Sequence, residues 1–144
     1  MTDTKKKIIE QLRKSGVRRR ALSWLESQPI EDWKGWWEVE GGTWAELLSD
    51  YPQLADLCSA HGGWSKMNGD DWVWLLSQQP QFASQCTEHW GWAKLDGWNW
   101  AWLLRRLPQF APQCEKYGGW LKLDDKDRAV LLAKQPQFAA FLVL

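Results

Sequence analysis

The chain has 144 residues, 44% of them hydrophobic, so a single domain with a packed core is expected. Eighteen Lys and Arg balance eighteen Asp and Glu, which argues against nucleic-acid binding over the whole surface. No apolar run approaches the ~20 residues of a membrane span, and Ile8-Ile9 after Lys5-Lys6-Lys7 is too short for a signal-peptide core. A cytoplasmic protein without a membrane partner is therefore expected.

The spacing predicts a first helix over Lys5 to Lys14, with Ile8, Ile9 and Leu12 on one face and Gly16 as its stop. A second, from Arg18 to Glu26, carries Ala21, Leu22, Trp24 and Leu25. Residues 1–34 read as a basic helical cap on the rest of the chain. From residue 35 the chain repeats every 28 residues without a gap, giving units 35–62, 63–90, 91–118 and 119–144. Gly-Trp recurs at 35-36, 63-64, 91-92 and 119-120, and Leu-Leu at 47-48, 75-76, 103-104 and 131-132. Pro-Gln-(Leu/Phe)-Ala starts at Pro52, Pro80, Pro108 and Pro136, and Cys falls at 58, 86 and 114. A second tryptophan column runs Trp44, Trp72, Trp100 and ends at Arg128.

Each unit reads as two short helices of about 8–10 residues, too short to be stable alone. In unit 63–90, Asn68 stands at the N-cap with Asp71 three residues on, and Asp96 with Asn99 and Asp124 with Asp127 repeat the arrangement. Pro80 ends the first helix and suits the first position of the second, and Gly91 stops that one. One helix pair cannot bury its apolar face, whereas stacked pairs can. The expected fold is all-α: an α-solenoid of four short αα-hairpin repeats with an N-terminal helical cap, forming one continuous domain.

The unit Gly-Trp-x-Lys-Leu-x-Gly-x-x-Trp-x-x-Leu-Leu-x-x-x-Pro-Gln-Phe-Ala-x-x-Cys resembles Trp-rich repeat arrays of uncharacterised bacterial proteins. The resemblance covers residues 35–144, implies a bacterial source and carries no catalytic residue across. The 34- and 33-residue periods of TPR and ankyrin arrays do not fit.

Several residue sets are candidate sites. Cys58 and Cys86 each precede a His by three residues, His61 and His89, but stacked helices about 8–10 Å apart cannot bring all four ligands to one zinc. Buried apolar filler is the better reading of the cysteines, and no metal or cofactor is expected. Trp columns filled in nearly every repeat read as core. Trp98, by contrast, aligns with Gly42, Asp70 and Lys126, and lies four residues from Trp102 on one helix. Trp74, Trp98, Trp102 and Arg105 are expected to form an exposed ridge for a partner or ligand, since Trp and Arg dominate binding hot spots.

The charge is dipolar: residues 1–25 carry a net +6, residues 26–62 a net −7 and residues 63–144 a net +1. Lys5, Lys6, Lys7, Arg18, Arg19 and Arg20 form a basic end, without any recognised nucleic-acid motif beside them. At the other end, Phe138, Phe141, Leu142 and Leu144 form an apolar surface that suits a partner, unless it folds onto its own repeat.

No GxSxG, HExxH, P-loop or dinucleotide fingerprint occurs, so no enzyme is expected and no catalytic residue is assigned. The leading reading is a repeat scaffold acting through protein–protein contacts, including head-to-tail contacts between its own copies that form rings or filaments. One alternative is a ligand-binding module that stacks sugars or nucleobases on exposed Trp. Another is a designed or consensus-derived solenoid without natural activity. On the head-to-tail reading, deleting residues 138–144 abolishes assembly and leaves the fold intact.

Overall fold

A computed structural model describes residues 2–142 of the protein, and no strand occurs among them. The chain is all-α, built from repeating helix pairs of the α-solenoid kind, and divides into two compact units, Met1–Lys66 and Met67–Leu144. The first unit holds α1 (Asp3–Lys14), α2 (Arg19–Ser27), α3 (Gly41–Asp50) and α4 (Ala55–Ala60). The second holds α5 (Gly69–Gln78), α6 (Ala83–Glu88), α7 (Gly97–Arg106), α8 (Ala111–Lys116), α9 (Asp125–Lys134) and α10 (Ala139–Leu142).

In the first unit, α1 packs on both α2 and α3. Its start is fixed by Thr2, whose hydroxyl accepts from the Lys5 N–H, and its last turn carries Arg13 and Lys14, which suit the helix dipole. Ile8 and Leu12 of α1 and Leu22 and Leu25 of α2 are buried. Lys5 Nζ donates to the Gln28 carbonyl (2.6 Å) and Gln11 Nε2 to Asp50 (2.7 Å), tying α1 to the chain beyond α2 and to α3. In the second unit, α7 packs between α5 and α9, so the first helices of successive repeats lie side by side.

The first helix of each repeat has 10 residues, as the spacing predicts, but the second is shorter than expected. Pro-Gln-(Leu/Phe) forms a separate 3-10 turn, and α4, α6 and α8 then have only six residues each. The turn is closed by an i to i+3 bond, such as Phe82 N–H to the Gln79 carbonyl (3.1 Å). The expected N-caps are reciprocal capping boxes: Asn68 with Asp71, Asp96 with Asn99, and Asp124 with Asp127.

The residue that ends each second helix lies one position earlier than the spacing suggests. Gly62, Trp90 and Gly118 form a 28-residue column with φ of 67°, 60° and 68°. Trp90 is the one non-glycine residue at positive φ among the described residues, and it is 70% exposed.

The next glycine serves a different purpose, close approach. A Cβ on Gly91 would lie 2.6 Å from Cys86 Sγ and 2.7 Å from the Trp72 ring; Gly119 stands in the same relation to Cys114 and Trp100, and Gly63 to Cys58 and Trp44. The Gly-Trp motif therefore exists because the second-column indole and the cysteine both press on this backbone. Within each unit, lysine side chains reach back along the chain to backbone carbonyls. Lys66 Nζ donates to the carbonyls of Trp37 and Val39, Lys94 Nζ to Met67 (2.8 Å), and Lys122 Nζ to Leu95 (2.9 Å). Each bond reaches back 27 or 29 residues, about one repeat.

Two substitutions test these constraints. Gly91→Ala should lower unfolding stability by about 1–3 kcal/mol through overpacking. Trp90→Gly should raise it by about 1 kcal/mol by relieving the left-handed conformation. Urea denaturation of both variants measures the two signs.

Candidate functional site

The columnar tryptophans are core. Trp36, Trp44, Trp64, Trp72, Trp92, Trp100 and Trp120 are all buried. Trp92 stacks on Trp100 at 5.7 Å, and Trp36 meets Trp44 at 5.2 Å. In the first column, Trp36 donates its indole N–H to the Ile30 carbonyl (2.6 Å), Trp64 to Ser59 (2.7 Å) and Trp92 to Thr87 (2.8 Å).

Of the tryptophans outside the columns, Trp33 is buried and packs edge-on against Trp36. Trp74 is 45% exposed and Trp98 56% exposed, while Trp102 and Arg105 are half-buried. The structure brings the three predicted ridge tryptophans together. Trp74, Trp98 and Trp102 line one cleft of about 180 Å³ between α5 and α7, with Val73, Asp70 and Asn99. Asn99 donates to Asp70 (2.7 Å) beneath it, which pins α7 to α5. Arg105 lies on the other flank of α7. There it joins Trp98, Trp102 and Lys126, with the carboxylates of Asp96, Asp124 and Asp127, in a groove of about 410 Å³ between α7 and α9. A third hollow of about 300 Å³ is lined by Trp102, Arg105, Arg106 and Lys134. The Arg106 guanidinium lies 3.9 Å above the Trp102 ring, a cation–π contact. The predicted ridge is thus an aromatic helix with a cleft on each side and a cationic end.

Sequence reasoning missed the exposed Trp37, Trp90 and Leu121. For Trp90 the signal was present, since its column otherwise holds Gly62 and Gly118.

The two predicted assembly ends fare differently. Lys6, Lys7, Arg18, Arg19 and Arg20 are exposed, whereas Lys5 is occupied by the Gln28 carbonyl. Arg18 shares a hollow of about 430 Å³ with Glu38 and Glu40, so part of the basic end faces the acidic segment of its own chain.

The apolar end needs correction. Phe138 is 6% and Leu142 4% exposed, so neither is open to a partner. Phe138 stands in the column of the equally buried Phe82 and Phe110, while Arg128 stands where other repeats have the second-column Trp. Phe141 takes that place instead, stacking flat on Trp120 at 5.0 Å, with Phe138 at 5.3 Å. Leu142 occupies the cysteine column. Phe141 stays 54% exposed, and Leu144 lies outside the described residues.

The cysteines are buried and unpaired. Burial pushes all three thiols up, Cys114 to about 12, with the neighbouring Glu115 carboxylate adding to the rise. Each is held as a neutral thiol by its apolar surroundings, not poised as a nucleophile. His61 Nδ1 is engaged by the Leu57 carbonyl (2.8 Å), and among the described residues no group of three His, Cys, Asp or Glu could hold a metal ion. No helix among the described residues is long and apolar enough to cross a membrane.

The packed tail and the buried thiols can each be measured. Phe138→Ala should cost about 3 kcal/mol or more of stability, so removing residues 138–144 should loosen the fold, as read by thermal unfolding. The three thiols should resist a disulfide reagent at pH 8 until urea is added. Because a thiol in the unfolded chain ionises near ~8.5 and the native ones do not, stability should fall as pH rises from there toward 12.

Comparison of the chain with protein-family models, with curated proteins and with solved structures finds no match.

Proposed function

We propose that the chain is a non-enzymatic repeat scaffold that acts through protein–protein contacts, including contacts between its own copies. The observation that carries this reading is the exposure of Trp74 and Trp98 beside Trp102 and Arg105. The face has the composition of an interface anchor: large rigid rings that bury much area on contact, with an arginine at their edge. Trp98 stands where the equivalent positions hold Gly42, Asp70 and Lys126, so the repeat's packing does not require an indole there. The helices beneath it are held by core contacts and capping boxes, which makes the face rigid and lowers the entropy lost on binding.

A second reading is favoured by the groove beside Trp98 and Trp102. Its volume of about 410 Å³ is that of a small-molecule site, and flat rings there suit a sugar or a nucleobase.

Light scattering across a hundredfold concentration range tests the first reading. Mass should rise above the 16.9 kDa of one chain. Trp98→Ala with Trp102→Ala should weaken association at least about tenfold, the loss typical of hot-spot truncation, while thermal unfolding changes little. A single-chain mass throughout would remove self-contact. Glycan or nucleotide binding that the same double variant abolishes would favour the second reading.

A further inference from the structure

We infer that the acidic face of α3 in one copy docks on the cationic hollow beside Trp102, at the C-terminal ends of α7 and α9 of a second copy. This rests on the self-contact reading above and names the two surfaces that meet.

The repeat register supplies the first observation. Asp50, Gln78, Arg106 and Lys134 occupy one 28-residue column, and Glu46, Trp74, Trp102 and Val130 the column four residues before it. The same helical face therefore changes from acidic in the first repeat to aromatic and cationic in the third and fourth. Glu46 and Asp50 are both exposed and lie one turn apart on α3. The segment around them, residues 26–62, carries a net −7.

Charge without partners is the second observation. Arg105, Arg106 and Lys134 share the hollow beside Trp102, and no acidic side chain lines it. None of these three cations forms an ion pair among the described residues. Arg105 Nε is buried without a hydrogen-bond acceptor. Like charges gathered around one hollow repel, and a carboxylate entering it relieves all three. The planar fork of arginine suits a carboxylate in two-point contact.

Helix dipoles explain only half of this pattern. Cations in the last turns of α7 and α9 are favoured by the dipole, but Asp50 in the last turn of α3 is not. Gln11 Nε2 bonds one Asp50 oxygen and leaves the other open. An acidic C-terminal turn in one place and a triple cation at the register-equivalent place match as partners across two molecules. The two surfaces differ, and every copy carries one of each, so the contact is heterologous and can propagate.

Charge exchange between two variants tests it by light scattering at low salt. Arg105→Glu with Arg106→Glu, and separately Glu46→Lys with Asp50→Lys, should each weaken association at least tenfold. An equimolar mixture should recover it, because each reversed surface then meets its reversed complement. Raising salt from 0.05 M to 0.5 M should weaken the wild-type contact as well. Glu46→Lys alone keeps the Gln11–Asp50 bond and guards against misfolding of the double variant; it should show a smaller loss of the same kind. Failure of the mixture to recover, or indifference of assembly to both reversals, would overturn the inference. If assembly is then still lost in the Trp98→Ala and Trp102→Ala variant, the scaffold reading survives without this pairing. A wild-type chain that is monomeric at every concentration ends this pairing and, with it, self-contact of any kind.

Discussion

In each of repeats two to four a glycine backbone is pressed by two side chains at once, and the rest of the repeat is arranged around that contact. Cys86 Sγ and the Trp72 indole converge on Gly91, and the same trio recurs at Cys58, Trp44 and Gly63 and at Cys114, Trp100 and Gly119. The indole comes from the first helix of a repeat, the sulfur from the second, and the glycine from the turn that opens the next. A Cβ there would push the turn away, and the following tryptophan would lose its stack. Close packing of this kind tolerates little change in volume. That is why three chemically unlike residues share one period. It also explains why the cysteines need no chemistry: they fill a space that is small, apolar and shut off from water.

Departures from the pattern mark the places where packing changes its partner. Arg128 replaces the second-column tryptophan, and Phe141 from the last helix stacks on Trp120 there, while Leu142 takes the place of the cysteine. A tail that looks open along the sequence is largely consumed by its own repeat. At the other end, Trp33 fills the space beside Gly35, and Trp36 turns its N–H to the Ile30 carbonyl. The lysines of repeats two to four tie carbonyls one repeat back, whereas the equivalent position in repeat one is Glu38. Within each unit these are charged hydrogen bonds, stronger than neutral ones.

Freedom to vary lies on the outer face of the first helices. Positions such as 98, 102, 105 and 106 lie outside the glycine contact, so their residues can be chosen for what they meet outside the repeat. Exposed indoles there gain by burial in a contact, and the clustered cations gain by meeting carboxylates. The functional proposals rest on this separation between a constrained interior and an unconstrained face.

Much of this protein is legible from its residues. Exact spacing identifies the repeat, the capping boxes at Asn68, Asp96 and Asp124, and the core columns, because local hydrogen bonds and helical periodicity act between neighbours in the chain. The exposure of Trp98 could be read from Gly42, Asp70 and Lys126 at its equivalent positions. The shortening of the second helices is local too, because Pro-Gln-(Leu/Phe) closes its own turn. Other features depend on residues far apart in sequence meeting in space. Phe141 comes to stack on Trp120 only once the last helix folds back on its own repeat. Arg105, Arg106 and Lys134 become one cationic site only once α7 and α9 lie side by side. Periodicity determined which residues are alike; three-dimensional packing decided which are neighbours, and burial and charge depend on neighbours.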